Sequence, residues 1–195
     1  MKIERLTVGR KHGKAFVVDD IVDPDALAQL YRHFKTMPFS FNHADHRASN
    51  YALHFVHHLT RPVWEADLVV RRYLAIVAAV LHRDGLRHRR VDRVYVNATL
   101  FGDYNFHHRD GCDWTALAFV NDTWQDHWGG ELMLYRDADI DAPAIAIRPK
   151  PGRMVIFDGR MVHRPGTPTK YCLEPRITLV CKIGEGQLGK RKRRR

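Results

Sequence analysis

The sequence predicts an α+β chain that is mainly β, with N-terminal helical support followed by a β-rich half. Apolar residues recur at helical spacing in two stretches between residues 20 and 90. From residue 91 the texture changes to six short runs rich in β-branched and aromatic residues. Between those runs lie Gly-Asp, Gly-Gly, Pro-Lys-Pro-Gly and Asp-Gly, which is turn chemistry with no helical pattern in between. Strands so spaced point to a sandwich or barrel, not to alternating β–α units. A chain of 195 residues makes one domain. It is read as residues 1–189, with helical support at about 20–90 and a β core at about 91–183, followed by a basic tail at 190–195.

In chain order, Ala15 to Val18 is a short apolar run ending in Asp19-Asp20, a first strand. Asp23-Pro24 is a helix start, with Asp as N-cap and Pro in the first turn. Leu27, Leu30, Tyr31 and Phe34 follow on one helical face, and Met37-Pro38 ends the helix. Residues 39–61 are aromatic and carry His43, His46, His54, His57 and His58. They read as a surface-crossing connection, with a loop and strand lining a site as the alternative. Pro62 to Arg83 reads as the longest helix, with Ile76, Val77, Val80 and Leu81 on its apolar face and Gly85 just past its end. Arg83, Arg87, Arg89, Arg90 and Arg93 cluster there, where cations favour the helix dipole; phosphate contact is the alternative. The predicted strands of the second half are Val91–Phe101, Trp114–Val120, Glu131–Tyr135, Ala144–Arg148, Arg153–Phe157 and Arg176–Ile183.

Composition narrows the function classes. Hydrophobic residues at 45% and charged residues at 28% exclude a mainly disordered chain. No uncharged run approaches the ~18 residues of a membrane span. The N-terminus lacks the apolar stretch of a secretory signal. Cys112, Cys172 and Cys181 form no C-x-x-C pair, which argues against a disulfide framework and for a cytoplasmic location. The net charge is +10, but Lys190 to Arg195 holds six of those charges, leaving a body of +4. The tail reads as solubilising, with contact to nucleic acid or the ribosome as the alternative.

The chemistry centres on His108-Arg109-Asp110. On an extended chain, residues two apart point to the same side, so an imidazole nitrogen and a carboxylate oxygen can reach one ion. A kinase reading of His-Arg-Asp fails, because the required Asn five residues on is Thr115. Fifty-five residues later, the turn and apolar strand Pro151 to Asp158 deliver His163. Two His and one carboxylate form the facial triad of non-haem Fe(II) oxygenases. Arg176 opens the last strand and shares a face with Thr178, an apt clamp for a carboxylate. Asn97 and Thr99 share a face of the strand leading to His108. His107 points to the opposite face, and Cys112 is a bystander because such sites use N and O donors.

These blocks resemble the Fe(II)/2-oxoglutarate-dependent dioxygenases, particularly the prolyl-hydroxylase-like branch, over roughly residues 91–183. Asn97 to Gly102 followed by His108-Arg109-Asp110 is similar to the family's N-x-Y-x-x-G…H-x-D block. Ala118 to Trp124 followed by Trp128-Gly129-Gly130-Glu131-Leu132 is similar to its Y-L-N-x-x-W…G-G-E-L segment, and Pro151 to His163 to its P-G…F…H block. The resemblance implies a double-stranded β-helix, or jelly roll, with Fe(II) on His108, Asp110 and His163 as the catalytic centre. It implies 2-oxoglutarate held by Arg176 with Thr178, Asn97 and Thr99, and O2 as oxidant. Two positions depart from the pattern: Thr99 stands for a Tyr, and Phe119 for an aromatic hydroxyl. Tyr95 or Tyr104 is offered as the second anchor of 2-oxoglutarate. Trp124 and Trp128 are offered as walls of a substrate pocket, and Arg160 as a contact for an anionic substrate.

The implied reaction couples conversion of 2-oxoglutarate and O2 to succinate and CO2 with hydroxylation of a small molecule or amino-acid side chain. Asp110 disfavours the halogenating relatives, which lack this carboxylate, and Arg176 disfavours the JmjC-type branch, which uses Lys. Cupins want H-x-H and a Glu. An AlkB-like nucleic-acid demethylase is the first alternative, although that branch carries R-x5-R where this chain has Arg176 and Lys182. A non-catalytic β-helix that binds RNA or the ribosome through its tail is the second.

Overall fold

The computed structural model describes residues 1–8, 13–44, 53–86, 90–136, 141 and 143–184. Eleven strands and three helices are set out among them. The strands are β1 (Lys2–Thr7), β2 (Lys14–Asp19), β3 (Ser40–Ala44), β4 (Leu53–Leu59), β5 (Val91–Thr99), β6 (Trp114–Phe119), β7 (Leu132–Tyr135), β8 (Pro143–Ile147), β9 (Met154–Asp158), β10 (His163–Pro165) and β11 (Arg176–Ile183). The helices are α1 (Pro24–Lys35), α2 (Arg61–Ala66) and α3 (Leu68–Arg83). Eight strands form one antiparallel sheet in the order β1-β2-β9-β6-β11-β5-β4-β3, and β10-β7-β8 form a second.

Alternation along the strands sorts the side chains into two cores. On β11, Ile177, Leu179, Cys181 and Ile183 pack with Trp114, Ala116 and Ala118 of β6, Met154 and Ile156 of β9, and Leu27, Phe34, Val70 and Val77 of the helices. The opposite face sets Leu117, Phe119, Val155 and Phe157 against Leu132, Leu134 and Ile147 of the small sheet. The large sheet is therefore covered on both faces, and this is why its central strands read as continuous apolar runs. Each fully buried Leu or Phe stabilises the layers by roughly 1.5–3 kcal/mol. Arg176, Thr178 and Lys182 of β11 belong to the face turned toward the small sheet, and all three are buried.

Local sequence explains the helices. Asp23 caps α1 by accepting from the Ala26 N–H at 2.9 Å, and Leu27, Leu30, Tyr31 and Phe34 are its buried residues, as the spacing predicts. The helix expected over 62–83 is divided in two. Asp67 leaves helical geometry and accepts the backbone N–H groups of Val69 and Val70 at 2.8 and 2.9 Å, so it ends α2 and starts α3. The Tyr73 hydroxyl then ties α3 to the sheet by donating to the Leu179 carbonyl at 3.3 Å.

Three further expectations change. Residues 39–61 hold strands β3 and β4, with β4 paired to β5, where a surface connection was expected. β1 adds an edge strand to β2. His163 begins β10 instead of lying in a loop. The N-terminal part thus supplies four strands of the large sheet as well as the helices. All three cysteines are free and buried. Among the described residues, no helix is long and apolar enough to cross a membrane. Arg87, Arg89, His46 and the tail at 190–195 lie outside the described residues.

Candidate metal centre

Backbone pairing brings the distant His residues together. His108 and His163 form an isolated antiparallel bridge, each N–H donating to the other's carbonyl at 3.0 Å. The Asp110 N–H donates to the Gly159 carbonyl at 2.7 Å, fixing the chain two residues on. The two imidazoles lie 4.3 Å apart by ring centre, and the donor atoms of His108, Asp110 and His163 all fall within 4.8 Å of one another. The His-x-Asp spacing thus places both side chains on one side.

Hydrogen bonding sets the tautomers. His108 Nδ1 lies 2.9 Å from the Phe106 carbonyl, and His163 Nδ1 lies 3.0 Å from the Met161 carbonyl. A carbonyl only accepts, so each Nδ1 carries the hydrogen and each Nε2 presents a lone pair toward the cluster. Burial lowers the His163 pKa to about 3, which keeps its ring neutral, the form that ligates metal. Asp110 lies 3.8 Å from His108 Nε2 through Oδ1 and 3.5 Å from His163 Nε2 through Oδ2. Burial alone would raise its pKa. The Lys182 ammonium, by its charge and its hydrogen bond, overcomes that and holds the carboxyl ionised, well below the usual carboxylate range. Two imidazoles and one carboxylate are the donor set that suits a divalent non-haem iron with open positions.

A second polar group lies on the same layer. Arg176 is 2% exposed, and its Nε and Nη1 have no hydrogen-bond partner. Nη2 lies 3.5 Å from the Thr99 hydroxyl, and the guanidinium sits 5.9 Å from the Phe119 ring centre. Burial lowers its pKa to about 10, with Glu131 and Asp103 opposing, so it stays charged near neutral pH. Strand register sets Arg176 opposite Thr99 and Thr178 opposite Asn97, whose Oδ1 is also buried and without a partner. Unsatisfied polar atoms in a buried site are costly unless a ligand meets them, and a carboxylate matches this fork. Gly130 makes room for the arginine. It has φ +82°, and a Cβ there would stand 2.9 Å from Arg176 Cδ and 3.3 Å from Trp124 Cζ2.

The remaining predicted residues divide. Trp124 borders the Gly130–Arg176 contact, donates its Nε1–H to the Gly129 carbonyl at 2.9 Å and meets Trp128 edge-on at 5.3 Å. Tyr95 is buried on the same strand face as Asn97, but stands opposite Val180 instead of Arg176, and burial raises its pKa to about 12. Tyr104 is exposed and packs edge-on against Phe106 at 4.9 Å. Arg160 is taken up by Asp158, donating from Nε at 2.8 Å. His107 turns to the Tyr135 ring at 4.7 Å. Two polar neighbours of Asp110, Thr115 and Lys182, were not singled out from the sequence as site residues. Period-two alternation on β6 and β11 is the signal that finds them, since it places them on the inward face.

A family model described as the 2OG-Fe(II) oxygenase superfamily matches residues 68–181, more than half of the chain. No curated protein matches by sequence. Among solved structures, a Pseudomonas putida prolyl-4-hydroxylase is similar with TM-score 0.68 and 16% identity, over 89% of this chain and 94% of that one. A Trichoplax adhaerens prolyl hydroxylase, in complex with a hypoxia inducible factor peptide fragment, is similar with TM-score 0.66 and 15% identity over 92% and 87%. A viral collagen prolyl hydroxylase from Paramecium Bursaria Chlorella virus-1, in its 2OG complex, is similar with TM-score 0.60 and 16% identity over 87% and 94%. These likenesses place the chain in the jelly-roll fold expected from the sequence.

Proposed function

The chain belongs to the 2OG-Fe(II) oxygenase superfamily, whose members are enzymes using Fe(II), 2-oxoglutarate and O2, and on that premise we propose that it hydroxylates an amino-acid side chain or a small molecule. The observation that carries the reading is the pairing of a His108–Asp110–His163 donor set with a buried guanidinium, two of whose nitrogens have no partner, on the same layer. In this reading His108, Asp110 and His163 hold the iron. Arg176 takes the distal carboxylate of 2-oxoglutarate, with Thr178, Asn97 and Thr99 completing the polar lining. When bound, the iron supplies the coupling of O2 reduction to oxidative decarboxylation of the cosubstrate.

The protein's share is placement and dryness. Two backbone bonds lock the imidazoles, and their Nδ1–H donations fix which nitrogen faces the metal. Phe119, Phe157, Leu134 and Val155 exclude water from the layer between the sheets, which strengthens every charge interaction inside it. A carboxylate in the donor set supports hydroxylation over halogenation. The likeness in fold to prolyl hydroxylases supports an amino-acid side chain as the substrate class. The nucleic-acid alternative draws on the basic tail, which lies outside the described residues.

The test is succinate release with Fe(II), 2-oxoglutarate and O2 against three panels: free amino acids, proline-containing peptides and methylated single-stranded oligonucleotides. The proposal expects stimulation by a member of the first two, with one oxygen atom added to its mass. Stimulation by the oligonucleotides alone would replace it with the demethylase reading.

A further inference from the structure

Lys182 holds Asp110 ionised but is itself neither a metal ligand nor a 2-oxoglutarate contact in the proposed site. It is 4% exposed, on the inward face of β11, and a lysine is almost never this buried without a dedicated partner. Its Nζ donates to Asp110 Oδ2 and, at 3.3 Å, to the Thr115 hydroxyl. The Thr115 hydroxyl itself donates to the same Oδ2. Oδ2 therefore accepts twice and lies 3.5 Å from His163 Nε2, while Oδ1 lies 3.8 Å from His108 Nε2. Thr115 is fully buried in this cluster, and Cys112 closes it with an Sγ 3.4 Å from the Thr115 hydroxyl.

Stability does not call for this arrangement. Replacing a whole buried ion pair by apolar side chains of similar volume is often neutral or stabilising. The geometry instead restricts how the carboxylate can ligate. Both oxygens lie beside an imidazole, but Oδ2 already accepts from an ammonium and a hydroxyl, so Oδ1 is the oxygen with lone pairs left for the ion. With two imidazoles, that makes a three-donor face and leaves the rest of a six-coordinate ion open. A carboxylate ligating through both oxygens would occupy one more position.

We propose that Lys182 is a positioning residue of the metal centre: together with Thr115 it pins Asp110 Oδ2, so that the carboxylate binds the metal through Oδ1 alone and a third coordination position stays open. The assignment rests on the triad being the metal site. It predicts that loss of Lys182 changes the number of water molecules on a bound ion, an effect that a purely structural lysine would not have.

The probe is Mn(II), read by water-proton relaxation of the full-length protein without 2-oxoglutarate. Wild type is expected to show about three exchangeable waters per bound ion, and Lys182→Met about two, a loss of roughly one third in relaxivity per bound ion. Lys182→Arg, which keeps the cation, is expected to stay close to wild type. Thr115→Val removes the weaker of the two restraints, and an intermediate loss is expected. It also serves if Lys182→Met fails to fold. Unchanged relaxivity in Lys182→Met, or in Thr115→Val where the former cannot be purified, overturns the proposal. Failure of wild type to bind Mn(II) refutes the metal site itself, which is a different result.

Discussion

Replacing Arg176 with Met should separate cosubstrate binding from folding, because one guanidinium affects the two in opposite directions. The side chain is fully buried, and two of its nitrogens have no partner. Burial lowers its pKa from 12.5 to about 10. At about 1.4 kcal/mol per unit, the charged group costs the folded protein roughly 3 kcal/mol at neutral pH. Both the folded and unfolded states are protonated below pH 10, so that cost is present in full at pH 7 and fades only as pH rises toward 12.5. Methionine keeps most of the stem and removes the charge. The variant without ligand should therefore melt several degrees higher, since about 1 kcal/mol moves the midpoint by ~2–4 °C in a chain of this size. Binding should move the other way. A carboxylate bound across one edge of the guanidinium, reaching Nη2 and one of the unpartnered nitrogens, gains two charge-assisted hydrogen bonds of about 1.5–3 kcal/mol each. Losing both weakens 2-oxoglutarate by at least about 100-fold. Anaerobic calorimetric titration of 2-oxoglutarate into the Mn(II)-loaded protein reads the affinity, and scanning calorimetry reads the midpoint. A dissociation constant within about threefold of wild type would refute the assignment of Arg176.

Gly130→Ala places a Cβ 2.9 Å from Arg176 Cδ at a φ of +82°, so it should weaken 2-oxoglutarate by about tenfold in the same titration while Mn(II) affinity holds. Asp67→Ala removes the cap of α3 and should cost about 1 kcal/mol, read as a lower denaturant midpoint with an unchanged slope. Asp19 is gripped by Arg153 through two bonds of 2.7 and 3.0 Å, and those bonds hold its carboxyl below the usual 3.8 despite burial. That stabilisation is complete above pH 3.8 and lost as pH falls through the lowered pKa, so Arg153→Met should melt earlier than wild type at pH 7 and the gap should close in acid.

Much of the centre was legible in the chain because its geometry is local. His108 and Asp110 need only an extended backbone to share a side, and Arg176 and Thr178 need only strand alternation. α1 was legible for the same reason: Asp23, Pro24 and one apolar face specify it without help. Other parts depend on partners that the sequence does not display. The edge strand β1 shows no period-two alternation, its apolar Ile3 and Leu6 being three apart among polar residues, and pairing with β2 decides it. In β4, His54, His57 and His58 hide the alternation, and pairing with β5 overrides their polarity. The break at Asp67 had a visible signal, an N-cap residue before an apolar run, that the longer apolar pattern masked. Lys182 and Thr115 sit at inward positions that alternation predicts, but their partnership with Asp110 is made by tertiary contact across 72 and 5 residues.

The central claim is that His108, Asp110 and His163 hold one Fe(II) beside a 2-oxoglutarate anchored by Arg176. Anaerobic addition of Fe(II) and 2-oxoglutarate to the purified protein tests it most directly, by the weak visible charge-transfer band of the chelate. The account predicts the band in wild type and its loss in His108→Ala. A folded wild-type protein that shows no band, or a variant that keeps it, would contradict the account.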